Sequence, residues 1–513
     1  MKERFLLGID IGTSGCKLAV FDAQGNVKAF YNQTYQTDYP GPGYAEQDAN
    51  DWWRAVTRGL LNIFASTKVN PHDITAIGLA GQSPTCLPVD KNGSPLRKAL
   101  IWLDTRSVEQ IRKMTQLISE DEIIQVSGNP VATPYIIPKI KWIEDNEPEI
   151  FRATHHILQS HAFIGHQLTG HFYQDMSTCN GYHIFNISKG KIDFDMAEKL
   201  QVPISLVPEI VSSHQIIGEV TQEASKITGL PKGIPVVAGG LDAACGTLGA
   251  GVFNAGQTQE QGGQAGGMSI VTPNALIHPK LILSNHVVPQ RWLLQGGTTG
   301  GGGVLKWLRE QFFENIQAPD DLNTDNPFEI MSYLASKSSP GSKGLVFLPY
   351  MSGERSPLWD PRAKGTFVGL NFQTEKTDII RSVMEGVAYT LLHNLKTAQE
   401  VKAEINNLIS VGGAANSVIW TQIKSDVTGK PIQVPFSDFA TPLGAAILAG
   451  VGTGYFPSFE VAVNQTVKIQ RYHEPDFKNH QIYRDYFGLF LELYDSLKEK
   501  FQKLDQIKTK TGP

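Results

Sequence analysis

The chain has 513 residues, 41% hydrophobic and 19% charged along its whole length, which exceeds one ordinary core and predicts two or three globular domains rather than a disordered chain. A formal net charge of −5 excludes a broad electrostatic grip on nucleic acid or an anionic membrane, so any phosphate site has to be built locally. Cys16, Cys86, Cys179 and Cys245 show no CxxC or zinc-ligand spacing, no apolar run is long enough to span a bilayer, and the first apolar run is broken at Asp10, so a reduced cytoplasmic protein is expected.

The stretch FLLGIDIGTSGCKLAVFD (5–22) reads as strand, glycine turn, strand: Phe5 to Ile9 and Leu18 to Phe21 are apolar and β-rich, and Gly12 to Gly15 makes the turn. A second turn at Asp22 to Asn26 begins the third strand of an antiparallel meander. Residues 52–66 have helical apolar spacing, while 74–81 and 99–104 read as short buried strands, an alternation that indicates an α/β layer. Residues 234–251, IPVVAGGLDAACGTLGAG, form a strand that ends in Gly-Gly-Leu-Asp and enters a small-residue helix. Directly afterwards, TQEQGGQAGGMSIV (258–271) repeats the strand, glycine turn, strand plan of the N-terminus, which points to a duplicated domain. Residues 408–432 give strand, glycine turn and amphipathic helix, and 483–504 a long terminal helix followed by a frayed polar tail.

A polyphosphate can be held without net positive charge by turn amides, hydroxyls and a carboxylate-bound magnesium ion. Residues 10–17 supply these groups: Asp10 for the metal through water, Thr13 and Ser14 for phosphate oxygens, Lys17 as a compact charge. The plain alternative is a hairpin in which Asp10 satisfies a turn; neither a Walker A motif nor a GxGxxG fingerprint after a strand occurs. Asp242 stands where a strand passes into a helix, a place where α/β proteins expose reactive groups. Gly239 and Gly240 before it leave room for a ligand, and a helix cap is its alternative role. Gly412, Gly413 and Ala414, followed by Asn416, let a flat base approach the backbone, or form a simple tight turn.

Taken in order, these segments resemble the FGGY family of carbohydrate kinases, and its xylulokinase branch most. LLGIDIGTSGCKLAVFD resembles the family's first phosphate motif, AGQSPT (80–85) its sugar loop, ALIWLDTR (99–106) the segment lining the sugar, and VVAGGLDAACG the segment with the catalytic aspartate. PYMSGERSP (349–357), GTFVGLNFQTEKTDIIRSVMEGVAY (365–389) and SVGGAANSVIWTQIKSDVTG (410–429) complete the set. The resemblance implies an α/β fold of the actin, hexokinase and Hsp70 type, with duplicated ribonuclease H-like domains around a central cleft that closes over ATP and a sugar. The domains implied are an N-terminal one over 1–250, a nucleotide-binding C-terminal one over 251–460 and a helical extension over 461–513. By the same resemblance Asp242 is the general base, Asp10 holds Mg²⁺, and Thr13, Ser14 and Lys17 meet phosphates. Gly263, Gln264, Gly302, Gly413 and Asn416 line the nucleotide, and Gln82, Ser83, Pro84, Trp102 and Asp104 the sugar. Tyr135, Glu354 and Arg355 are further candidates near the cleft, the last two alternatively a surface pair. The implied partners are ATP and a small sugar, with neither nucleic acid nor membrane, and the long terminal helix is a candidate homodimer surface.

Three departures bear on the substrate. Gly263-Gln264-Ala265-Gly266 replaces the Gly-Thr-Ser-Gly turn of many xylulokinases, Ser83-Pro84 stands where they have Met-His, and Ala243 follows the catalytic aspartate where they carry Asn. Each removes or moves a polar contact. The expectation is therefore phosphorylation of a small ketose, a pentulose such as D-xylulose first. Another ketose, a polyol or a sugar acid, or a non-catalytic nucleotide-binding scaffold, are the alternatives. The paired Arg-Glu of glycerol kinases is absent from the Gln82 loop.

Overall fold

The computed structural model describes residues 4–436 and 438–511. The chain divides into two α/β units: Met1–Asn254, Val271–Leu293 and Ser437–Lys468 form the first, and Ala255–Ile270, Leu294–Phe436 and Ile469–Pro513 the second. Both are discontinuous in sequence.

In the first unit Phe5–Ile11 pairs antiparallel with Gly15–Phe21, which pairs antiparallel with Val27–Thr34: the meander expected from the sequence. On its other side Phe5–Ile11 pairs parallel with Ile74–Gly81, followed by Pro235–Val237 in parallel and Ile216–Glu219 antiparallel to that. All seven residues of Phe5–Ile11 are buried, as suits a strand covered on both faces. One cover is helix Ala49–Ser66, begun by the Asp48 carboxylate accepting from the Asn50 N–H and burying Trp52, Val56, Leu60 and Ile63 on one stripe.

The other cover is helix Ala440–Gly452, apolar on nearly every side, which packs on Phe5–Ile11, Ile74–Gly81 and helix Asp242–Gly249. Its approach depends on the absence of side chains on the strands. A Cβ at Gly8 would stand 1.9 Å from the Pro442 carbonyl oxygen, and one at Gly78 1.8 Å from that of Ala445. This contact draws residues after 436 back to the first unit.

The strand expected over 99–104 is shorter. Only Ala99–Leu100 is extended, paired with Glu46–Gln47, and the chain then turns. The cause is Asp104, whose carboxylate accepts from the Ala45 N–H at 2.7 Å and the Arg106 Nε at 2.9 Å.

The second unit repeats the plan. Gln257–Gly262 and Gly266–Thr272 form the hairpin, Gln257–Gly262 pairs parallel with Asn407–Val411, and then come Ile432–Pro435 in parallel and Ile469–His473 antiparallel. The strand senses match those of the first unit, so the duplication is topological although little identity remains. Its core surrounds the long helix Lys376–Glu400, whose Val383, Met384 and Tyr389 pack with Phe347, Trp420 and Phe490. The terminal helix runs over Phe477–Thr511, longer than the expected 483–504, and continues where a frayed tail was expected; of that tail only residues 512–513 lie outside the described residues. Tyr483, Phe490 and Phe501 of this helix are buried in the second unit itself, and the Tyr483 hydroxyl donates to Glu385 at 2.8 Å. Among the described residues no helix is long and apolar enough to cross a membrane.

Candidate active site

Parallel pairing sets Ile11, Gly81 and Leu241 side by side at the carboxyl ends of three strand segments. Asp10 lies one residue before this level and Asp242 one residue after it. The turn into the last strand passes through Gly239 at φ +73°, where a Cβ would stand 1.9 Å from the Leu79 carbonyl oxygen, so no other residue fits. Asp242 is the first residue of helix Asp242–Gly249, and Leu241 takes the cap position. The helix-cap alternative is thereby replaced: the Asp242 Oδ1 accepts from its neighbour's N–H, that of Ala243, at 2.6 Å.

Asp10 feels the charge of Asp242. Asp10 is 9% exposed and its Oδ1 has no hydrogen-bond partner. Burial first, and the Asp242 charge second, push it up to about 8 against the pull of Lys17, which faces it across the hairpin. Burial likewise pushes Asp242 up to about 6, while the Ala243 N–H and His161 hold it down. His161 is fully buried, with Nε2 2.9 Å from the Asp175 Oδ1. Asp175 accepts on Oδ2 from the Ser177 hydroxyl at 2.5 Å, and that hydroxyl accepts from the Leu241 N–H at 2.9 Å. This chain steadies the backbone that carries Asp242. Sequence reasoning missed it, because a histidine in the apolar stretch HAFIGHQL carries no signal until the fold brings Asp175 to it.

The Gly12–Gly15 turn is braced from three directions. The Thr13 Oγ1 accepts from the Trp102 indole N–H at 2.9 Å, the Thr13 carbonyl accepts from the Gln47 Nε2 at 2.7 Å, and the Tyr35 hydroxyl donates to the Gly12 carbonyl. Ser14 and Lys17 are exposed beside it. Gln82 is buried, with Nε2 donating to the Gln47 Oε1 at 2.7 Å and Oε1 left without a partner. The Ser83 Oγ, Gln159 Nε2 and His161 Nδ1 are also buried without partners. They are neighbours, since Ser160 Oγ donates to the Gln82 carbonyl at 3.0 Å and Gln159 Oε1 accepts from the Thr85 N–H at 2.9 Å. One such orphan costs roughly 1–3 kcal/mol, so several around one loop mark a place prepared for a polar ligand. Asp104 is a correction: it is fully buried and its carboxylate is taken by Arg106 and Ala45, so it shapes the segment and offers the sugar no oxygen. Trp102 is partly exposed, with its N–H committed to Thr13, and Tyr135 is buried with its hydroxyl 3.3 Å from the Asn129 Oδ1.

The second unit holds a cavity of about 1150 Å³ whose lining includes Gly263, Gln264, Gly302, Gly413 and Asn416, all five nucleotide candidates of that half of the chain. Its floor is the hairpin turn, into which helix Gly302–Phe312 docks: the Gly302 N–H donates to the Gly263 carbonyl at 2.7 Å and the Gly303 N–H to that of Gln264 at 3.0 Å. Those two amides are thus committed to the turn. Phe328, Ser332 and Tyr333 form another wall, tied to the helix after Asn416 by the Ser332 and Ser417 hydroxyls at 2.8 Å. Beneath Gly262 a buried pair, Lys424 Nζ to Glu260 Oε1 at 2.6 Å, fixes the strand that feeds the turn. Glu354 is no surface group: it is 4% exposed, accepts from the Thr299 and Arg355 N–H groups at 2.8 Å, and burial pushes it up to about 7.

Two units of one topology, one ending its strands in paired aspartates and the other opening a glycine-floored cavity, define a duplicated α/β protein of the actin, hexokinase and Hsp70 type. The N-terminal domain of the FGGY family of carbohydrate kinases matches residues 5–249 and its C-terminal domain residues 266–453. The chain belongs to that family and is an ATP-dependent sugar kinase. It is 32% identical to a xylulose kinase of Staphylococcus epidermidis over 501 residues, 97% of this chain and 98% of that one. It is also 28% identical to a gluconokinase of Bacillus subtilis over 508 residues, 98% and 97% of the two chains. The crystal structure of a xylulose kinase from Rhodospirillum rubrum superposes with a TM-score of 0.89 at 26% identity, covering 97% of this chain and all of that one.

Proposed function

We propose that the protein transfers the γ-phosphoryl group of ATP to a hydroxyl of a small neutral ketose, a pentulose such as D-xylulose. The observation that carries this is the Asp10–Asp242 pair at the strand ends, beside a loop whose Gln82 and Ser83 hold buried, unpartnered polar atoms. Asp242 acts as the base. Its carboxyl near 6 is ionised at neutral pH, and the Ala243 N–H holds one oxygen so that the other can receive the sugar proton. Phosphoryl transfer asks mainly for alignment and charge neutralisation, which backbone amides of the glycine turns, Thr13, Ser14 and Lys17 supply.

Asp10 fits a magnesium ion: its Oδ1 is buried without a partner, and its ionisation, opposed by burial and by Asp242, becomes favourable beside a cation. When bound, the ion neutralises charge on the phosphates.

The likeness to a gluconokinase favours a sugar acid as the second reading. Charge speaks against it. In the first unit the buried Arg106 is already paired with Asp104 and Glu46, and the buried Lys139 with backbone carbonyls. A coupled ADP-release assay over ketopentoses, ketohexoses, tetritols, pentitols and aldonates decides. The pentuloses are expected to give the highest kcat/KM, and a preference for aldonates would overturn the neutral-ketose reading.

A further inference from the structure

Lys139 is fully buried on helix Ile136–Asn146, among Ile136, Ile137, Ile140 and Ile143. A lysine in such a place is costly unless its charge is met. Here the ammonium donates to three backbone carbonyls: Pro134 at 2.6 Å, Ile101 at 2.7 Å and Pro84 at 3.4 Å. These are all the donors it has, and the carbonyls belong to three separate segments. Pro84 is in the loop with Ser83, Ile101 precedes Trp102, and Pro134 precedes Tyr135.

We propose that Lys139 is a positioning residue for the sugar, a single ammonium that sets the spacing of the three segments bearing Ser83–Pro84, Trp102 and Tyr135. This rests on the reading that those segments line the sugar site. A neutral side chain of similar length would pack as well against the isoleucines, but would take the shared donor from all three carbonyls, leaving Ile101 only the Asp104 N–H at 3.0 Å, and would free the segments to drift. Hydrogen bonds from a charged donor are stronger than neutral ones, which is what a tripod holding separate loops requires. A binding geometry loosened by even an ångström loses affinity steeply.

The charge itself provides a readout that a merely structural side chain would not. Burial pushes the Lys139 ammonium down to about 7, with the Cys86 thiol and Asp104 drawing it up and Arg106 drawing it down. Raising the pH above 7 removes the proton and one of the three donors.

The test uses the full-length chain with ATP and D-xylulose, or whichever sugar of the panel gives the highest wild-type kcat/KM. Lys139→Met and Lys139→Gln are expected to raise the sugar KM about tenfold or more while the KM for ATP and the affinity for ADP stay within about twofold. In the wild type the sugar KM is expected to rise between pH 6.5 and 8.5, and in the variants to lose that rise. An unchanged sugar KM, or equal losses for sugar and ATP, would overturn the proposal. Trp102→Ala separates the two layers: if it leaves the sugar KM unchanged, the sugar-site reading fails, whereas if it raises the KM and the Lys139 variants do not, only the role of Lys139 fails. Should both Lys139 variants be unfolded, the wild type decides through the temperature dependence of its KM–pH profile. An apparent pKa that falls on warming as steeply as that of an alkylamine, more steeply than an imidazole's or a thiol's, supports the role; one that falls less steeply, or is insensitive as a carboxyl's is, removes it.

Discussion

Asp10 and Asp242 are held against their own ionisation, and the sign of the effect on stability follows. Both folded pKa values, about 8 and about 6, lie above the ordinary 3.8, so the folded chain keeps protons that the unfolded chain has released. Stability therefore falls as pH rises from 3.8 to about 8 on account of Asp10, and from 3.8 to about 6 on account of Asp242. Asp10→Asn is expected to be more stable than the wild type at pH 8, on the order of 5 kcal/mol, and nearly equal to it at pH 4, as read from thermal midpoints at the two pH values. An equal or lower midpoint at pH 8 would show that Asp10 is not strained. Addition of Mg²⁺ and ADP at pH 7 should release up to about one proton more from the wild type than from Asp10→Asn, measured calorimetrically in buffers of different ionisation enthalpy. As the base, Asp242 should impose a fall in kcat below pH 6, and Asp242→Ala should lower kcat by roughly 10²- to 10⁴-fold. Turnover equal to that of the wild type would remove it from the chemistry.

Helix Ala440–Gly452 shows how an element far along the chain completes a site near its start. It covers the face of Phe5–Ile11 and Ile74–Gly81 and packs on the helix headed by Asp242, so the strand ends carrying both aspartates are held partly by residues that come far later in the chain than either. Gly78→Ala places a methyl within 1.8 Å of the Ala445 carbonyl, a backbone group that cannot swing aside. The variant is expected to lose about 3 kcal/mol or more, read as a lower urea midpoint. A neutral result would mean that the helix can lift off without cost. The strands at 5–11 and 74–81 were legible because burial on both faces writes a continuous apolar run. The end of the strand at Leu100 was not, because the turn is made by Asp104 reaching Ala45 and Arg106, and such a partner is invisible in local pattern.

Each unit carries its own part of the chemistry, and this has a measurable consequence. The proposed nucleotide residues of the second unit, Gly263, Gln264, Gly302, Gly413 and Asn416, line one cavity, while both aspartates belong to the first. Asp242→Ala should therefore bind ADP within about twofold of the wild type despite its lost turnover, as measured by isothermal titration. A large loss of ADP affinity would show that the two functions are not separable.

Glycine turns, strand periodicity and the order of motifs are local properties, so the duplicated α/β plan, the aspartates at the strand ends and the glycines that line the second unit's cavity could be read from the chain as a string. Partnership is not local. That Asp104 is taken up by Arg106, that His161 meets Asp175, that Lys139 gathers three carbonyls and that residues 437–468 return to the first unit were decided only by folding. The cost of a buried charge depends on what surrounds it, and those surroundings come from distant parts of the chain.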